Sequence, residues 1–101
     1  MPDAASQTDI VIAGAARTPM GGFQGELSPM TAPQLGGAAI SAAIADAGAS
    51  PDAVNELVMG CVLPAGLGQA PARQAGFAAG LPGSIPASTC LLYTSDAADD
   101  P

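Results

Sequence analysis

Met59–Gly80, MGCVLPAGLGQAPARQAGFAAG, decides how this chain is read. It opens inside an apolar run, Leu57 to Leu63, that stops at Pro64. A short continuous apolar run closed by a breaker predicts a strand buried on both faces. A loop with two glycines and Gln69 follows, and a helix opens at Pro71 and closes at Gly80. Proline just inside a helix start and glycine just past its end is the expected asymmetry.

Towards the N-terminus, Ile10-Val11-Ile12-Ala13 is a second short apolar run rich in β-branched residues. It predicts another buried strand, extended by Gly14-Ala15-Ala16 and ended by Arg17-Thr18-Pro19. Met20–Pro29, MGGFQGELSP, reads as a glycine-rich loop. Glycines after a strand suggest a dinucleotide site, but the spacing fails. That fingerprint needs G-x-G-x-x-G leading straight into a helix and an acidic residue ending the next strand. Here Pro19 interrupts the turn and the next strand ends in Leu63-Pro64. Thr31 is a fitting N-cap for a helix with Pro33 in its first turn, running to about Ala47 with Gly48 as its stop. At about 100° per residue, Gly36, Ile40, Ala43, Ile44 and Ala47 share one face, with Gln34 and Ser41 opposite. Gly36-Gly37 would weaken an isolated helix by about 1 kcal/mol each relative to alanine, so close packing is the expected compensation. Ser50-Pro51-Asp52 opens a short turn through Val54, and Glu56 leads into the strand at Leu57.

Beyond Gly80, Leu81–Pro86 is a connector stiffened by two prolines, and Ala87 to about Leu92 predicts a third strand. The order is strand, helix, strand, helix, strand, the pattern of an α/β fold. Right-handed crossovers would make the three strands parallel neighbours in one sheet. Such a sheet needs cover on both faces, and two helices give three strands thin cover. The expected architecture is therefore part of a domain.

Composition excludes several classes. The 101 residues suffice for one domain, and 49% hydrophobic content with 11% charge argues against disorder. Alanine supplies much of that hydrophobic share, and the aromatics are only Phe23, Phe77 and Tyr93. No apolar run approaches the ~20 residues of a membrane span. MPDAASQTD has neither a basic region nor an apolar stretch, so no secretory signal is expected and a cytoplasmic location is the default. Formal net charge is -7, and the only cations are Arg17 and Arg73. Nucleic-acid binding neutralises phosphates with Lys and Arg, so it is not expected.

Two cysteines, Cys61 and Cys90, and no histidine exclude the usual zinc spacings. A disulfide is possible in principle, but nothing indicates an oxidising compartment. Cys61 sits in an apolar strand, where cysteine behaves as a small inert hydrophobe. Arg17 and Arg73 read as local ion pairs or caps on carbonyls, against a functional reading as anchors of loops near a site entrance. Gln69 and Gln74 read as loop and interface hydrogen-bonders rather than catalysts, and Asp46, Asp52 and Glu56 as solvated surface. No catalytic, cofactor-binding or metal-binding residue is assigned.

Five short stretches in order carry a family resemblance: Ala15–Pro19, Gly22-Phe23, Ala32–Gly36, Gly68–Ala75 and Pro86–Thr89. Together, over roughly residues 9–89, they resemble the N-terminal half of the thiolases, most of all the acetyl-CoA acetyltransferases among them. The resemblance implies a layered α-β-α-β-α fold of two similar halves. The three strands would be the first three of a five-stranded mixed sheet, the third also pairing across a dimer interface. It implies acyl transfer between coenzyme A thioesters through a cysteine thioester, by Claisen condensation or thiolysis, within fatty acid metabolism. It further implies a homodimer or homotetramer. The nucleophile would fall at position 94, which is Thr94, while Cys90 stands four residues too early with no Gly-Ser-Gly turn after it. A histidine and second cysteine of the family lie downstream. The residues are therefore expected to be an inactive N-terminal fragment that binds no cofactor itself, coenzyme A thioesters being substrates of the parent enzyme.

CLLYTSDAADDP, residues 90–101, departs from the family pattern and resembles translated sequencing-adapter sequence, with a genuine acidic C-terminus as the competing reading. Residues 1–89 are then the partial thiolase domain. Two rival functions stand beside the fragment. One is a non-catalytic module that pairs with a thiolase-like subunit. The other is a different thiolase, such as a 3-oxoadipyl-CoA or sterol-carrier-type enzyme.

Overall fold

Thr31 begins the first helix, α1, Ala32–Ala47, through a reciprocal cap. Its side chain accepts from the Gln34 amide at 3.2 Å, and the Gln34 side chain accepts from the Thr31 amide at 2.8 Å. Two orphan amides of the first turn are thereby satisfied. Gly48 closes the helix at φ 70°, its amide reaching back to Ile44 and Ala45 carbonyls. Residues 9–92 of the computed structural model are described here; a single 3-10 turn, Pro51–Ala53, follows α1. Next come β1, Leu57–Cys61, α2, Pro71–Ala78, and β2, Ala87–Leu91.

β1 and β2 pair in parallel, from Leu57 opposite Ala87 to Cys61 opposite Leu91. Two of the predicted strands are thus present, β1 ending at Cys61, short of Leu63, and β2 ending at Leu91. Both helices lie on one face of this sheet. A Cβ on Gly36 of α1 would stand 3.0 Å from the Met59 methyl, and one on Gly76 of α2 would stand 3.1 Å from a Leu57 methyl. Leu57 and Met59 point to the same side of β1. Gly37 lies tighter still against α2, with 2.6 Å from its virtual Cβ to that of Ala78. The paired glycines therefore buy close helix–helix contact, the compensation expected from sequence. The core is small: Ala72, Ala75, Ala79, Leu81 and Ile85 are buried, flanked by Ile40, Ile44, Val54 and Leu57.

The sheet has two strands among the described residues, which corrects the expectation of three. Ile10–Ala13 forms no ladder, and Ile10 and Ile12 are 99% and 91% exposed. An apolar run signals that a segment needs cover, whereas a strand exists only through a partner's hydrogen bonds. Here the anchoring is elsewhere. The Ala15 amide donates to the Asp46 carboxylate at 3.1 Å, and Gly14 sits where a Cβ would be 2.7 Å from the Ala43 carbonyl oxygen. This docks the chain on the last turn of α1 and leaves Ile10–Ile12 exposed among the described residues. Asp46, read from sequence as solvated surface, is exposed but also makes this tie.

Candidate functional site

The starts of α1 and α2 meet the C-terminal end of β1. In open α/β sheets that is where ligands gather. Ala32, Pro33, Met59, Cys61, Pro71 and Thr89 surround an indentation there of about 40 Å³. Small-molecule sites run to roughly 300–1,000 Å³, whereas a water occupies about 30 Å³. The indentation is therefore far too small for an acyl-CoA. Its walls are apolar apart from the Thr89 hydroxyl and the Cys61 thiol.

The sheet separates the two cysteines. Cys90 lies opposite Gly60 and Cys61 opposite Leu91, so they occupy alternate register positions and opposite faces. Cys61 is half-buried on the helix side, and Cys90 is exposed on the uncovered side. An activated thiol needs a helix N-terminus, a cation or a base beside it. Cys90 stands inside β2, no helix follows it among the described residues, and the chain has no histidine. Among the described residues no cluster of His, Cys, Asp or Glu could hold a metal ion. Thr94, the counted nucleophile position, lies outside the described residues, as does most of the 90–101 tail.

Both arginines cap carbonyls. Arg17 donates to the Thr18 carbonyl at 3.0 Å. Arg73 spans the connector, donating to the carbonyls of Gly83 at 3.2 Å and Ile85 at 2.7 Å, with its guanidinium 5.7 Å from the centre of the Phe77 ring. Gln74 holds the loop before α2 by donating to the carbonyls of Leu67 at 2.6 Å and Gln69 at 2.7 Å. Gln69 thus contributes its backbone to this clamp.

Two features escaped the sequence reading. Thr89, across the sheet, accepts from the Ala72 amide at 3.0 Å and so does the work of an N-cap for α2. Ala70, which occupies the cap position, supplies no side-chain acceptor and has φ 48°, a left-handed conformation unusual for a residue with a Cβ. No local pattern announces either, since the acceptor lies 17 residues away.

The thiolase N-terminal domain model matches residues 10–95. The acetyl-CoA acetyltransferase of Cupriavidus necator is 54% identical over 82 residues, covering 81% of this chain and 21% of that enzyme. Acetyl-CoA acetyltransferase 2 of Arabidopsis thaliana is 54% identical over 81 residues, covering 80% and 20% respectively. Among solved structures, Acat5 thiolase from Ascaris suum, in complex with coenzyme A, superposes with a TM-score of 0.77 at 36% identity, over 79% of this chain and 21% of that one. The acetyl-CoA acetyltransferase of Syntrophomonas wolfei gives 0.74 at 38% identity, over 78% and 20%. The chain spans about a fifth of the length of these relatives. With the five sequence stretches set on this β-α-β unit and its two helices, the chain belongs to the thiolase family and corresponds to a stretch of its N-terminal domain.

Proposed function

We propose that this chain is the opening portion of an acetyl-CoA acetyltransferase, an enzyme that moves acyl groups between coenzyme A thioesters through a cysteine thioester. The supporting observation is 54% identity to the Cupriavidus necator acetyltransferase sustained over 82 residues. In that reading β1, β2 and the two helices are scaffold, and the chemistry belongs to residues that follow them. The 101 residues alone then have no turnover. Cys90 stands inside a strand with no helix start after it among the described residues, the chain has no histidine to serve as base, and the indentation beside Cys61 is about 40 Å³. Acyl-CoA is the substrate of the whole enzyme, and the coenzyme A complex of the Ascaris thiolase supports that class. A homodimeric or homotetrameric parent, a cytoplasmic location and a role in fatty acid metabolism complete the proposal. Curated relatives carry both cytosolic and mitochondrial names, and no helix among the described residues is long and apolar enough to cross a membrane. The domain division, residues 1–89 with a foreign tail at 90–101, is part of the same proposal.

A chimera tests it. Residues 9–89 replace their counterparts in the Cupriavidus enzyme, and thiolysis of acetoacetyl-CoA is measured for the chimera and for the purified 101-residue chain. Retained turnover in the chimera, with none above background in the isolated chain, is the expected result. A folded but inactive chimera sinks the family assignment of function, and turnover by the isolated chain sinks the assignment of the chemistry to later residues.

A further inference from the structure

We draw no further inference here: the strongest candidate, the side of the sheet away from both helices, exposed at Val58 and Cys90, carries nothing because nothing in the structure shows what covers it.

Discussion

Thr89 joins two elements through one hydroxyl, which makes it a sharp test of how the second helix is held. Thr89→Val keeps the β-branched shape and removes the acceptor for the Ala72 amide. Loss of a helix cap typically costs ~0.5–2 kcal/mol. Amide exchange at Ala72 should therefore accelerate in T89V and return towards the parent rate in T89S, read by hydrogen–deuterium exchange. Equal exchange in all three would show that the contact contributes nothing. The paired glycines of α1 allow a second comparison. Alanine gains about 1 kcal/mol over glycine in a helix, while overpacking costs roughly 1–3 kcal/mol. At Gly36 an added methyl meets the flexible end of Met59 at 3.0 Å and the Cβ of Ala75 at 3.2 Å, whereas at Gly37 it meets the Cβ of Ala78 at 2.6 Å, fixed to the backbone of α2. Gly37→Ala should lower the thermal midpoint of the helical circular dichroism signal, and Gly36→Ala should lower it less. The reverse order would mean that α1 and α2 are not in contact as described.

At the scale of elements, the parallel register decides what the two thiols can do. A disulfide needs Cβ atoms about 3.5–4.5 Å apart. Cys61 and Cys90 stand on opposite faces of a paired sheet, so no bridge forms while the ladder from Leu57 to Leu91 is intact. Under mild oxidation the native chain should form no bridge between Cys61 and Cys90, and Cys90 should be alkylated before Cys61 because it is the exposed one. An intramolecular disulfide found by peptide mass mapping would contradict this register. The same distinction between local and distant partners explains what could be read from sequence. Helix α1 was legible because Thr31, Gln34 and Gly48 are its own neighbours and carry the cap chemistry themselves. The family stretches around Gly68–Ala75 were equally readable, because they are words in order. The Ile10–Ala13 strand was misread since its apolar character reports a need for cover but not whether a partner edge reaches it. Thr89 capping α2, Arg73 bridging to Ile85 and Asp46 holding Ala15 all join residues 12 to 31 positions apart, beyond the reach of any local pattern.

For the molecule as a whole, charge and apolar exposure oppose each other. The radius of gyration is 15.6 Å, whereas a compact domain of 100 residues has ~13 Å. Ile10, Ile12 and Phe23 are each more than nine-tenths exposed, and among the described residues one face of the sheet has no helix on it. Exposed apolar area of this kind favours association. Against it stands a net charge of -7, with only two cations to compensate. Like charges keep copies apart so long as they are felt across the gap between them. The screening length is about 30 Å at 0.01 M salt and about 3 Å at 1 M, so repulsion between copies operates at the first and is nearly gone at the second. The isolated chain should therefore be monomeric at low salt and associate at high salt, with light-scattering mass rising while the apolar dye ANS is bound in both conditions. On the proposed reading the same surfaces are packed in the chimera with the Cupriavidus enzyme, and ANS binding should fall. A chain that remains monomeric and dark to the dye at 1 M salt would mean that Ile10–Ile12 and the open sheet face find cover within these 101 residues.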